Sequence, residues 1–326
     1  MDVRLPTFAA ILSLAASVAL GQPLATSAVG QEPPKPVDGQ QLISKAAENL
    51  AGQRRLEANI RQKIHLFGQE LSGPGYYAQY GRDDWDTLST TNATKLHLKL
   101  SLVAGQHTIF QQVCDGRFLY TQFELPDQKR VAFIDLQRVH KSISKNKAAT
   151  AMTASTNWMA LGGLPNLLRQ LNNNFRFGPV KRALLGKEKV PVWQIMGTWK
   201  PARLAELLPA QRDAILAGRS VKWDDLPKQL PHSVALTLAR DNPFPLFPYR
   251  IVFNQFVTTR HDNAPNKPRT AAHPVLTLEF YNVRHRANMS RSEFHFKPDD
   301  QELLDDTEKY LQQIGAMKRR EATSQD

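Results

Sequence analysis

The 326-residue chain has a single cysteine, Cys114, so no intrachain disulfide can brace it. Its fold must be held by a buried core, and Cys114, at the end of a strand-like run, reads as a small buried hydrophobe. Beyond the first segment no apolar run approaches the roughly 20 residues of a membrane-spanning helix. GxSxG, P-loop and GxGxxG motifs are absent, so nucleophile-elbow and phosphate-cradle chemistry lack their usual signatures. The nine histidines are scattered, with no HxxxH or HExxH spacing. A metal site would need ligands from distant segments, and none is expected. Nor does any period of about 20–50 residues recur, which argues against a solenoid or propeller.

What is present begins with a short apolar stretch, Leu5–Leu20, after one basic residue and before a small-residue site at Ala19-Leu20-Gly21. Residues 1–21 thus fit a cleavable secretory signal, and the mature protein is expected to be exported and soluble. Residues 22–40, containing QEPPKPVDGQ, read as a disordered linker. The net charge of +12 suggests an acidic partner, but the charge is dispersed. Its densest internal clusters, Lys141–Lys147 and Lys181–Lys189, read as loops. With no aromatic platform and no groove-reading helix, nucleic acid is not an expected partner. Solvated surface is the main reading of the charge, and an anionic membrane surface is the alternative.

The strongest local signal is Thr108–Glu124, TIFQQVC-DG-RFLYTQFE. An Asp-Gly pair between runs rich in Ile, Phe, Val and Tyr predicts a hairpin with a type I′ turn. Arg130–Val139 extends it into an antiparallel meander. Asn59–Phe67 alternates as a half-buried strand. Further strands are predicted at Gly75–Tyr80, Lys95–Val103, Val190–Trp199, Ser233–Arg240, Tyr249–Val257, Val275–Val283 and Glu293–Phe296. Helical spacing marks Leu42, Ile43, Ala46, Ala47 and Leu50, ending at Gly52. It recurs in Ala148–Leu171, split at Gly162-Gly163 and Pro165, in Arg203–Leu216, interrupted at Pro209, and in Asp299–Ile314.

This order lacks βαβ alternation and predicts an α+β fold: one large antiparallel sheet of about ten or eleven strands, with helices gathered on one side. In the hairpin, Phe110, Gln112, Leu119 and Thr121 share one face, while Ile109, Gln111, Val113, Phe118 and Tyr120 share the other. Neither face is wholly polar, so both are expected to have partial cover. The paired carboxylates Asp83-Asp84, Asp224-Asp225, Asp299-Asp300 and Asp305-Asp306 lie in polar loops or near helix starts. Capping explains them better than acid–base work. Arg117 reads as a snorkelling strand-end arginine.

The strand IRQKIHLFG, the run KLHLKLSLV, the VCDGRFLY hairpin and the following VAFID together resemble the LolA-like family of periplasmic outer-membrane lipoprotein carriers. The likeness centres on Asp115, Gly116, Leu119 and Tyr120, continues less specifically through FPYRIVF and VLTLEFYNV, and covers about Leu42–Leu311. It implies an incomplete, strongly curved β-barrel whose concave side is covered by helices around an apolar cavity for acyl chains, with no catalytic residues and no cofactor. This chain is longer than a typical carrier, through Lys200–Pro231 and a His261–His273 loop. Arg82 is not assigned the lid-locking role of the carriers' arginine.

The expectation is therefore an exported, non-enzymatic lipid- or lipoprotein-binding protein of the cell envelope. A LolA-like half-barrel domain would span residues 41–314 with a helical insertion at 200–231, and residues 315–326 would form a charged tail. Leu98, Leu100, Phe110, Leu119, Trp158, Leu161 and Leu164 are the candidate lining of the cavity. The Trp158–Leu171 and Arg203–Leu216 helices are the expected gate. A cell-envelope interaction module with a self-filled sheet is the alternative, and a hydrolase using a carboxylate pair is a third reading.

Overall fold

The computed structural model describes residues 37–66, 69–81, 95–104, 106–125, 128–145, 162–227, 230–241, 243–261, 264–298 and 302–313. All of these lie in one compact unit, Pro36–Asp326. Helix α1 (Gly39–Gly52) leads into six strands: β1 (Arg55–Leu66), β2 (Gln69–Tyr80), β3 (Lys95–Ala104), β4 (Gln106–Cys114), β5 (Phe118–Leu125) and β6 (Gln128–Asp135). Helices α2 (Leu136–Lys145) and α3 (Gly163–Asn174) precede β7 (Phe175–Phe177), β8 (Lys181–Leu185) and β9 (Val190–Trp199). Short helices α4 (Pro201–Leu207) and α5 (Arg212–Leu216) come before β10 (Ser233–Ala239), β11 (Pro248–His261) and β12 (Ala264–His285). The short strand β13 (Leu303–Asp305) and helix α6 (Thr307–Gln313) are the last described elements.

All thirteen strands form one sheet, ordered β13-β6-β5-β4-β3-β2-β1-β12-β11-β10-β9-β7, with β8 also on β9. Its edges are β13 at one end and β7 with β8 at the other, so the sheet is curved but does not close. Among the described strands only β13 pairs in parallel, against Val131–Phe133 of β6. The fold is therefore α+β with an incomplete antiparallel barrel, as expected. The strands beyond the expected ten or eleven are β7, β8 and β13, each five residues or fewer and too short to show a period.

Alternation explains how the sheet gathers its core. Leu56, Ala58 and Ile60 in β1, Tyr77 in β2, and Leu96, Leu98 and Leu100 in β3 are all buried on one face. That inner face continues through Leu278 and Phe280, Ile251 and Phe253, and Val234, Leu236 and Leu238. Helix α1 starts with the Asp38 carboxylate accepting from Gln40 N at 3.0 Å, and buries the predicted stripe Leu42, Ile43, Ala46, Ala47 and Leu50. The outer face is covered too, as the mixed hairpin pattern requires. Met289 and Phe294 bury Ala78 and Tyr80, and Phe296 stacks on Tyr120 at 5.0 Å.

Several local expectations are corrected. The hairpin turn is Gly116-Arg117, because Asp115 N–H donates to Phe118 O and only Gly116 takes a positive φ, 101°. Asp115 directly follows β4, and its carboxylate accepts from Arg117 N and Phe118 N, each at 2.7 Å. A type I′ turn needs two positive φ angles; here the Asp side chain supplies the closure instead. Lys141–Lys147 is not all loop, since α2 runs to Lys145, and Lys181–Lys189 contains β8. Strand β6 stops at Asp135, whose carboxylate accepts from Gln137 N and Arg138 N and so opens α2. Glu293–Phe296 is no strand: Arg291–Phe294 is a 3₁₀ turn with a Ser290/Glu293 capping box. Within Asp299–Ile314 the described residues form β13 and α6, while the described residues of His261–His273 belong to the long strands β11 and β12.

Candidate functional site

The helices fill the inner face unevenly. Helix α3 sits over β2 and β3, where Tyr77 OH accepts from Leu164 N at 3.3 Å and donates to Gln79 Oε1 at 2.9 Å. Burial of this hydroxyl pushes its pKa well above the ordinary tyrosine value, so it stays protonated and able to donate. A Cβ on Gly163 would lie 2.8 Å from both Tyr77 OH and Leu96 Cδ2, and φ there is +67°, so glycine is required. Gln79 Nε2 in turn donates to Leu50 O and Gln53 O at the end of α1. Gln40 links the start of α1 to Asn172 in α3 and to Phe177 in β7. Leu164, Leu167, Leu168 and Leu171 complete this block, each no more than 1% exposed.

The other end of the inner face is different. Among the described residues, β4, β5, β6 and α6 line a half-open cavity of about 310 Å³. That is the lower end of the usual ligand-pocket range of about 300–1,000 Å³. Its apolar lining is Phe110, Phe123, Ala132, Ile134 and Tyr310, and Phe123 remains 39% exposed. Gln112, Thr121, Arg130, Asp306 and Lys309 supply its polar part. Burial raises the Tyr310 phenol pKa, and its OH has no hydrogen-bond partner among the described residues.

The wall made by α6 is tied down at its edge. Arg130 Nη2 donates to Asp306 at 2.9 and 3.1 Å, and Arg138 Nη1 lies 3.3 Å from Asp305. Thr307 Oγ1 accepts from Asp135 N at 2.9 Å, and Thr307 N donates to Asp305. Burial raises the Asp305 carboxyl pKa, but the two bonds from Thr307 and the charge of Arg138 outweigh it and leave it below its ordinary value. Asp305-Asp306 is thus engaged in clasping two segments together. Asp225 accepts from Gln211 Nε2 at 2.7 Å within the 200–231 region, while Asp83-Asp84 and Asp299-Asp300 lie outside the described residues. Among the described residues no cluster of three or more His, Cys, Asp or Glu side chains has metal-site geometry.

Of the seven candidate lining residues, Phe110 borders the cavity. Leu98, Leu100, Leu119 and Leu164 lie in the continuous core on the inner face, and Trp158 and Leu161 lie outside the described residues. Alternation placed the strand residues on a common face, but the strand pattern alone carries no information about which part of that face a helix occupies. Phe123, Ala132, Ile134 and Tyr310 were not named from sequence. Phe123 and Ile134 follow from the register, because Phe110 pairs with Phe123 and Leu119 with Ile134. Cys114 is buried beside Leu119, and burial pushes its thiol pKa up to about 12, so it is an inert part of the core.

No family model and no curated protein matches the chain. Solved structures similar to it include an outer membrane lipoprotein-sorting protein domain from Vibrio parahaemolyticus, 10% identical, which covers 79% of this chain and 96% of its own with a TM-score of 0.33. LprF from Mycobacterium bovis is 9% identical, over 75% and 91% of the two chains, with a TM-score of 0.33. A LolA superfamily protein from Nitrosomonas europaea is 11% identical, over 80% and 98%, with a TM-score of 0.28. The family that the sequence resembles is thus represented among them. At these TM-scores the superpositions transfer no site, and the cavity is read from its own residues.

Proposed function

We propose that the chain is an exported, non-enzymatic carrier that shields an acyl chain of a lipid or lipoprotein in the cavity under α6. The observation that carries this reading is the unfilled, largely apolar space among Phe110, Phe123, Ala132, Ile134 and Tyr310, in a face that is otherwise packed. Each buried methylene contributes about 0.8 kcal/mol, so ten in the cavity contribute about 8 kcal/mol before ordering costs. Residues 41–314 would be the carrier domain, released by removal of residues 1–21. Among the described residues no helix is long and apolar enough to cross a membrane. The gate expected from Trp158–Leu171 and Arg203–Leu216 shifts in this reading to β13–α6, because α3 is locked to Tyr77 and the core.

The test is native mass spectrometry of protein expressed in the periplasm, with extraction of co-purifying lipid and uptake of a fluorescent fatty acid. Bound lipid or saturable uptake is expected. Ala132→Trp, which fills the cavity, should abolish uptake, and Phe110→Ala, which enlarges it, should retain uptake. Lipid-free protein without uptake would sink the carrier reading in favour of an envelope interaction module with a self-filled sheet.

A further inference from the structure

A larger cleft, about 850 Å³, lies where the β8–β9 turn, the loop after β10 and the end of β12 meet. Its floor is a row of cross-strand neighbours. Arg61 in β1 faces Glu279 in β12, which also faces Arg250 in β11. Alternation places this row on the outer face, opposite Ile60, Phe280 and Ile251 of the core. The cleft's charged floor lies on the outer face, its lining reaches Phe244 and Phe280 at the margin of the core, and it shares no residue with the acyl cavity.

One carboxylate here serves two guanidinium groups. Arg61 Nη1 is 3.7 Å from Glu279 Oε2, and Arg250 Nε is 3.3 Å from Glu279 Oε1. The Arg250 Nε is buried yet makes no aligned hydrogen bond among the described residues. Lys187, on the β8–β9 turn, adds a third cation, and Glu188 beside it a second carboxylate. Guanidinium forks match pairs of oxyanion oxygens, so this row keeps donor capacity for an anion. Three cations around two carboxylates leave the cleft with a net charge of +1, which favours an anion. Phe244, Tyr249 and Tyr281 supply apolar surface beside the charges, and the Arg61 guanidinium lies 5.7 Å from the Tyr281 ring centroid.

The backbone around the cleft points the same way. The non-glycine residues with positive φ among the described residues are Lys189 (51°), Leu246 (64°) and Asn282 (52°). Asn282 lines the cleft, Lys189 sits between its lining residues Glu188 and Val190, and Leu246 lies between Phe244 and Tyr249. Such conformations are strained for residues with a Cβ, persist only where the surroundings impose them, and gather at ligand clamps.

We propose that this cleft binds a phosphate ester, its phosphate held by Arg61 and Arg250 and its organic part lying against Phe244, Tyr249 and Tyr281. The ester would be either a lipid headgroup or a soluble phosphate. Calorimetric titration of the full chain with monomeric dihexanoyl phosphatidic acid, with phenyl phosphate and with inorganic phosphate tests it. Both esters are expected to bind, and inorganic phosphate at least about tenfold more weakly, because it makes no contact with the aromatic wall. The preferred ester identifies the source. The double variant Arg61→Gln with Arg250→Gln should weaken ester binding by about tenfold or more, and Arg250→Lys should recover only part of it, keeping charge but losing the fork. Lys187→Ser, on an exposed turn, should weaken it by a few-fold and serves if the double variant does not fold. Fatty-acid uptake by the inner cavity should be the same in all of them, so the two sites fail or succeed independently. Absence of ester binding at millimolar concentration, undiminished binding in the variants, or equal affinity for inorganic phosphate would overturn the proposal.

Discussion

The two ends of the inner face are built from the same alternating strands and end up in opposite states. Over β1, β2, β3 and β9–β12, helices α1 and α3 press Leu50, Leu164, Leu167, Leu168 and Leu171 into the sheet. Over β4, β5 and β6, the thin cover of α6 leaves about 310 Å³ unfilled. What distinguishes the ends is the attachment of the helix. Helix α3 is held by four buried leucines and a buried tyrosine, whereas α6 buries Tyr310 and Leu311 and is otherwise tied along its edge by half-exposed ion pairs. A packed end gives the sheet a fixed curvature, and a loosely capped end can exchange its contents with solvent.

The largest expected effect comes from breaking the packed end. Leu168→Ala removes a fully buried side chain from the centre of α3 and should cost about 2–5 kcal/mol, read as a lower urea midpoint with an unchanged slope. A loss below about 1 kcal/mol would mean that α3 is no better packed than α6, and the contrast would fall.

The packed end is also buttressed from outside, and this gives the next largest effect. Glu57 is 3% exposed and bonded to Arg284 Nε, to Arg286 Nη1 at 3.3 Å and to Tyr76 OH at 2.9 Å. Arg286 then grips Glu293 at 2.7 and 2.9 Å, fixing the turn that covers Ala78 and Tyr80. Burial raises the Glu57 pKa, but the bonds from Arg284 and Tyr76 outweigh it and hold it below the ordinary glutamate value. Glu57→Gln leaves the guanidinium groups short of their anion. Their own exposure limits the cost to about 1–3 kcal/mol. Urea unfolding measures it, and near-neutrality would show that the outer turn stands without the network.

This division was only half legible in the sequence. Strand-like runs located ten of the strands, alternation gave the faces of β1 and the central hairpin, and the Asp115-Gly116 pair marked that hairpin, although the turn itself falls one residue later. The stripe from Leu42 to Leu50 located α1 for the same reason, since a helix with one apolar face must bury it. The cavity did not follow. Leu98 and Phe110 have the same pattern context, yet one lies in the core cluster and the other borders open space, because tertiary placement of α3 and α6 decides it. The clasp was missed for a related reason: Asp305 and Asp306 look like helix-start acids, and their partners Arg138 and Arg130 are more than 160 residues away in sequence.

The clasp gives the smallest and most selective way to sharpen the contrast, through pH. Asp305 has a folded-state pKa below its ordinary value, so it contributes stability above that ordinary value, about 3.9, and loses the contribution as pH falls through the lowered one. Protonation weakens its bonds to Thr307 and Arg138, so α6 should loosen as pH drops below about 4. Helix α3 is held by leucines and by a Tyr77 hydroxyl that remains protonated throughout this range. Hydrogen exchange at pH 6 and pH 3.5, corrected for intrinsic rates, should therefore show protection falling in Thr307–Gln313 and not in Gly163–Asn174. Asp305→Asn should reduce the pH response of α6, because the asparagine has no proton to gain. Equal loosening of both helices would show that acid acts on the whole sheet. A rigid α6 at both pH values would mean that the ion pairs are incidental and that the apolar contacts of Tyr310 and Leu311 alone hold the cavity shut.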